Sequence, residues 1–73
     1  MKTTNRADYP LYPDIHVELS GIDGNAFSIL GTVIKALRRN GAGLVAIEEF
    51  RKEATAGDYD HLLRTCMRWV EVS

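Results

Sequence analysis

Cysteine is almost absent from this sequence, with Cys66 as the single example in a chain of 73 residues. No disulfide can therefore form within the chain, and a reducing, cytoplasmic setting is the expectation. A domain this short buries only about 60% of the surface that its unfolded chain exposes. Without a disulfide, we expect tight helix packing or self-association to supply the missing stability.

Long apolar runs are also lacking, since no stretch approaches the roughly 18 residues of a membrane span. The N-terminal MKTTNRADYP has no apolar segment, which predicts that it is not a secretory signal. Nine Lys and Arg stand against ten Asp and Glu, for a formal net charge of −1. This balance disfavours nucleic acid as a partner, although a local basic face could still bind it. We expect a soluble cytoplasmic protein without membrane contact.

Both prolines of the chain fall in the N-terminal segment YPLYP. The residue before a proline is restricted to extended geometry. We therefore predict a flexible tail and an extended lead-in over residues 1–13, followed by one small globular domain over residues 14–72.

Two segments have the alternating pattern of a half-buried strand. In DIHVEL, the apolar Ile15, Val17 and Leu19 alternate with polar residues, and the C-terminal WVEVS alternates in the same way. Residues 69–72 are thus predicted either as a strand or as the end of the last helix. Since a lone strand leaves its backbone unpaired, the first strand is expected to pair with this C-terminal segment or with its own copy in a second subunit.

Between these segments, apolar residues recur at helical spacing in three places. The predicted helices are Ala26–Arg39, Leu44–Ala54 and Tyr59 to about Arg68. The fold class predicted is α+β, mainly α: a β-α-α-α-(β) domain with a three-helix core and one or two short strands. The predicted buried positions, helix by helix, are Ala26, Phe27, Ile29, Leu30, Val33, Ile34, Ala36 and Leu37; Leu44, Ile47, Phe50 and Ala54; Tyr59, Leu62, Leu63, Cys66, Met67 and Trp69 or Val70.

Glycines and short polar residues predict the helix ends. Gly31 lies inside the first helix, where it predicts the close approach of another backbone. The predicted structural caps are Asn25, Gly41, Gly57 and Asp58, with Asp23 and Asn40 as alternatives at the first two positions.

The segment SGIDGNAF combines two glycines with Asp23 and Asn25 just before the first helix. It lacks both the GxGxxG pattern and the lysine of a phosphate-binding loop, and a calcium loop would need oxygen ligands where Phe27 and Ile29 stand. We interpret it as a helix start with a side-chain cap. The alternative is a binding loop built on Asp23, Gly24 and Asn25.

The third helix carries the best functional candidates, because His61, Arg64 and Arg68 share one face with Thr65 beside them. The helices satisfy a loose helix-turn-helix outline, in which arginines at such positions can pair with guanine. The competing interpretation, which we favour, is a solvated polar face with local ion pairs.

Histidine, cysteine and the carboxylates form no recognisable chemical site. The aspartates and the histidine of DYDH do not converge on one point, so we predict no metal site. Cys66 is predicted as a core residue. Glu48, Glu49 and Glu53 are predicted as an exposed acidic ridge, since no cleft is available to raise one pKa. We therefore expect no catalytic residues and no cofactor.

Four motifs, DGNAF, ALRRNG, EATAGDYDHLL and MRWVEV, extend over almost all of the predicted domain. In these motifs the chain resembles a family of short uncharacterised proteins from bacteria, phages and mobile elements. The resemblance implies a phage or mobile-element setting. It implies no activity and assigns no role to any residue.

The function expected is that of a non-enzymatic protein–protein interaction module that self-associates, as a homodimer or with a protein partner. Exposed strand edges are templates for pairing with a second chain. One alternative is a small nucleic-acid-binding regulator that uses the third helix. Another is a phage or mobile-element protein that binds a small ligand or nucleotide at a subunit interface, over residues 23–25.

Overall fold

The computed structural model describes residues 10–21 and 23–73 of the chain. The predicted class, α+β and mainly α with three helices, is confirmed. Most of the predicted tail, residues 1–9, lies outside the described part, as does Ile22. The elements in chain order are β1 (Tyr12–Val17), α1 (Ala26–Arg39), α2 (Leu44–Ala54), α3 (Tyr59–Trp69) and β2 (Val70–Val72).

The strands β1 and β2 pair with each other in parallel, so the first strand finds its partner within the chain. Residues 70–72 form a strand that follows α3 directly, because Val70 turns to extended geometry with φ −135° and ψ 167°. The strand β1 begins at Tyr12, two residues before the predicted start. The register shifts between Tyr12 and His16, in the stretch where Pro13 has no N–H to donate to a neighbouring strand.

Local side chains begin and end α1. Asn25 is its N-cap, and its side-chain oxygen accepts from the backbone N–H of Phe27 at 2.8 Å and of Ser28 at 3.3 Å. At the other end, Gly41 follows the C-cap Asn40 with φ +89°, a left-handed conformation that favours glycine. The helices α1 and α2 have the bounds that the sequence predicts.

The core lies between the sheet and the inner faces of the three helices, with Trp69 at its centre. The ring of Trp69 stacks on Tyr12 with centroids 5.9 Å apart and meets Phe50 edge-on at 5.5 Å. The buried apolar side chains are Ile15, Val17, Ile29, Val33, Ile34, Leu37, Ile47, Phe50, Ala54, Leu62, Cys66, Trp69 and Val70.

Several side chains do not lie where the helical pattern places them. Phe27, predicted as buried, is 82% exposed, although it lies only about 20° around the helix axis from the buried Ile34. Leu44 is exposed at the first residue of α2, and Met67 at the edge of the apolar face of α3. Thr65 is buried instead of sharing the polar face, since its hydroxyl donates to the His61 carbonyl at 2.8 Å and needs no water.

Two glycines also differ from expectation. A Cβ at Gly31 would meet no atom within 4 Å, so the close backbone approach predicted there is wrong. The C-cap of α2 is Thr55 rather than the predicted Gly57. Gly57 is instead required by sterics, because a Cβ there would lie 2.7 Å from Cγ of His61, closer than two carbon atoms can pack.

Candidate functional site

An apolar groove of about 250 Å³ opens where α1 and α3 begin and α2 ends. It brings together three helix termini that are distant in sequence. We call it the N-terminal groove. Its lining residues are Ala26, Phe27, Leu30, Ala54, Thr55, Gly57, Asp58, Tyr59 and Leu62.

Two aromatic side chains stand at the N-terminal groove and remain open to solvent. Phe27 is 82% exposed and Tyr59 is 46% exposed, whereas Leu62 is buried. An isolated exposed apolar residue needs no explanation. Two rings beside one apolar depression are different, because large apolar patches on a small protein mark binding surfaces.

The loop before α1 is tied to the N-terminal groove by one long-range hydrogen bond. The hydroxyl of Tyr59 donates to the carbonyl of Gly24 at 2.5 Å. In the same loop, a carboxylate oxygen of Asp23 accepts from the Asn25 N–H at 3.3 Å. The structure thus brings Asp23, Gly24 and Asn25 to the edge of the groove. The side chains of Asp23 and Asn25 are already engaged with the backbone of the helix start.

The polar candidates on α3 each have a partner inside the domain. Nε2 of His61 donates to the backbone carbonyl of Glu53 at 2.8 Å, since a carbonyl can only accept. Arg64 pairs with Asp60 at 3.0 Å, with both side chains largely exposed. Arg68 forms an ion pair with Glu53. Local ion pairing of this kind is what a solvated polar face requires, and nucleic-acid binding by α3 stays a prediction.

Glu53 is a structural residue that the sequence pattern does not reveal. It was expected on an exposed acidic ridge, but one of its carboxylate oxygens accepts from Nε1 of Trp69 at 3.0 Å, while the other pairs with Arg68. The residue therefore joins the end of α2 to the end of α3. Its partners are 15 and 16 residues away in sequence, too far for any helical periodicity to indicate.

Asp58 is the N-cap of α3, and its carboxylate accepts from the His61 N–H at 2.9 Å. Because that oxygen faces the first turn of the helix, the negative charge of Asp58 stabilises the positive end of the helix dipole. Asp58 also lines the N-terminal groove.

The thiol of Cys66 is buried, and burial raises its pKa from 9.0 to about 11, although a backbone hydrogen bond partly opposes the rise. A protonated thiol is a poor nucleophile and a poor metal ligand. No three His, Cys, Asp or Glu side chains within residues 10–21 and 23–73 are placed to hold a metal ion. In that same part of the chain, no helix has the length and hydropathy needed to cross a bilayer.

Comparison of the chain with known protein families, with curated proteins and with solved structures gives no match. The resemblance to short phage and mobile-element proteins stays a prediction from the sequence motifs.

Proposed function

We propose that this protein is a non-enzymatic interaction module that self-associates through the N-terminal groove. The observation that carries the proposal is the position of Phe27, whose ring is 82% exposed beside an apolar groove that it helps to line. A ring in that position covers little of the groove of its own subunit. It can therefore insert into the groove of a second copy of the chain.

Two-fold symmetry makes such a contact self-complementary. In a two-fold interface the same patch is used on both subunits, so residue i meets residue j and residue j meets residue i. Because Phe27 and Leu30 lie on one side of the groove and Tyr59 on another, each Phe27 ring can enter the partner's groove while its own groove receives the partner's ring. Ring-to-ring contact with Tyr59 adds the preference of aromatic pairs for offset or edge-on geometry.

The size of the groove limits the affinity. Burial of one phenylalanine side chain contributes about 1.5–3 kcal/mol, so two symmetric rings contribute about 3–6 kcal/mol before other contacts. Association costs about 4–15 kcal/mol in lost rigid-body freedom. The other residues that line the groove must supply the rest of the favourable binding free energy. We therefore expect a weak dimer with Kd roughly between 1 μM and 1 mM.

The test is sedimentation equilibrium across a concentration series that spans this range. The wild-type chain should pass from monomer to dimer, whereas Phe27→Ser should stay monomeric throughout. Since Phe27 contributes little to the core, Phe27→Ser should keep the helical circular dichroism spectrum. Its melting temperature should equal that of the wild type at concentrations where the wild type is monomeric.

The matched control is Val45→Ser, which removes a side chain that is 76% exposed on α2, outside the N-terminal groove. This variant should dimerise like the wild type. A wild-type chain that is monomeric at every concentration would overturn self-association, and equal loss of dimer in both variants would place the contact elsewhere.

A further inference from the structure

The outer edge of β1 faces away from β2. On the inner side, the Ser73 N–H donates to the Val17 carbonyl at 3.0 Å, and the Leu19 N–H donates to the Ser73 carbonyl at 3.3 Å. Backbone groups of successive residues in a strand point to opposite edges. The N–H and C=O groups of His16, and of Glu18 directly after the strand, therefore point to the outer edge. There the two-stranded sheet has no further strand within residues 10–21 and 23–73.

A groove of about 240 Å³ runs between this outer edge and α1. His16 and Glu18 line it from the strand, and Thr32, Lys35 and Arg39 line it from the helix. We call it the β1–α1 groove. It has the arrangement that strand-adding peptide-binding domains use, in which an extended peptide pairs with a strand edge beside a helix.

The helix side of the β1–α1 groove is basic. Lys35 and Arg39 are exposed and one helical turn apart. The ion pairs in the described part of the chain use Arg51, Arg64 and Arg68, so neither groove cation is among them.

The strand side of the same groove carries one carboxylate, that of Glu18, which accepts a hydrogen bond from the Ser20 hydroxyl at 3.4 Å. His16, which also faces the groove, adds no negative charge in either protonation state. Two cations against one carboxylate leave the groove with a net positive charge, which selects for an acidic occupant.

We propose that the β1–α1 groove binds an extended acidic peptide segment of a partner protein, which pairs with the outer edge of β1 as a third strand and sets its carboxylates against Lys35 and Arg39. The backbone pairing requires only an extended chain, and the two cations select acidic side chains over neutral ones. This site is separate from the N-terminal groove and does not depend on self-association.

A second copy of this chain fits the β1–α1 groove less well than an acidic peptide does. Two-fold pairing of β1 with its copy would bring the Lys35 and Arg39 side chains of both subunits to one interface. Like charges brought together in this way oppose association. An isolated acidic peptide carries no such cations, so charge favours it as the occupant.

The test uses a capped peptide of about seven residues that alternates threonine and glutamate, compared with one that alternates threonine and glutamine. Binding is followed by two-dimensional NMR on the ¹⁵N-labelled chain. The glutamate peptide should shift the amide signals of His16 and Glu18 and slow their hydrogen exchange. The amide of Leu19, already bonded to the Ser73 carbonyl, should change little.

Charge reversal separates the site from nonspecific attraction. The double variant Lys35→Glu with Arg39→Glu should weaken binding of the glutamate peptide at least about tenfold, whereas Lys52→Glu, an exposed site on α2, should weaken it by less than about twofold. Added salt should weaken the wild-type complex.

The titration is run on the wild type and on Phe27→Ser, so that self-association through the N-terminal groove cannot mask the result. Absence of binding by the glutamate peptide would overturn the proposal, as would equal binding of both peptides. Concentration-dependent changes at His16 and Glu18 without any peptide would assign the edge to a second copy instead, which also contradicts the proposal.

Discussion

The two ends of α3 carry similar aromatic side chains in opposite surroundings. Tyr59, the first residue of the helix, is 46% exposed, whereas Trp69, the last, is 5% exposed. The chain continues from Trp69 directly into β2, which brings Tyr12 of β1 over the indole ring. At Tyr59 no strand formed by residues 10–21 or 23–73 closes the helix end, and the N-terminal groove remains open.

The polar contacts follow the same division. At the closed end, Glu53 joins Trp69 and Arg68 in a long-range cluster. At the open end, the long-range hydrogen bond of Tyr59 to the Gly24 carbonyl leaves the ring beside the groove. One helix therefore supplies part of the core at one terminus and the proposed binding surface at the other. What decides between them is whether the sheet covers that terminus.

The largest effect should come from the closed end. Trp69→Ala should lower the free energy of unfolding by about 3–5 kcal/mol, because it removes the ring between Tyr12 and Phe50 and leaves Glu53 without its indole donor. Tyr59→Ala should cost about 1 kcal/mol, mainly the lost hydrogen bond. Urea denaturation followed by circular dichroism measures the free energy of unfolding of both variants. Comparable losses of stability would contradict the conclusion that one end of α3 is buried in the core and the other is open.

A smaller effect should appear at alkaline pH, through Cys66 in the closed half of α3. Its pKa is raised from 9.0 to about 11, so its stabilising contribution is complete below pH 9 and is lost as pH rises toward 11. The loss should be about 1.4 kcal/mol per unit of pKa difference.

Other groups titrate in this range as well, so the measured quantity is the difference in the slope of unfolding free energy with pH between the wild type and Cys66→Ala. The wild-type slope should be the steeper. Identical slopes would show that solvent reaches the thiol in the folded state.

A further local effect should come from the turn that precedes α3. Gly57→Ala should lower the free energy of unfolding by about 1–3 kcal/mol, because the new Cβ would displace the His61 ring from the Glu53 carbonyl. The control is Gly31→Ala, which meets no neighbour and should raise stability by about 1 kcal/mol. Thermal unfolding of both variants measures these changes in stability. A Gly57→Ala variant as stable as the wild type would show that the missing Cβ at position 57 is not required by sterics.

The starts of α1 and α3 and the end of α1 follow from the sequence because short-range interactions set them. The side chain of Asn25 reaches N–H groups two and three residues ahead, and Asp58 reaches one three residues ahead. Gly41 provides the positive φ that ends α1. Such contacts depend on neighbours along the chain, so composition and spacing are enough to predict them.

The candidate site depends on contacts between residues that are far apart in the sequence, and the spacing of residues along the chain does not predict such contacts. The exposure of Phe27 and the burial of Thr65 reverse their helical pattern, because neighbouring elements, not periodicity, decide which face is covered. The link from Glu53 to Trp69 and the link from Tyr59 to Gly24 span 16 and 35 residues. No local rule anticipates them.

The sequence by itself determined where each helix starts, where α1 and α2 end, and that a strand precedes α1. It left residues 69–72 open between a strand and the end of α3. Only the tertiary structure decided that β1 and β2 pair in parallel, that this sheet closes one end of α3, and that a groove stays open at the other. The physical reason is the range of the interactions along the chain. Helix caps and helical periodicity act within one or two turns, whereas a surface is covered only when segments from opposite ends of the chain meet.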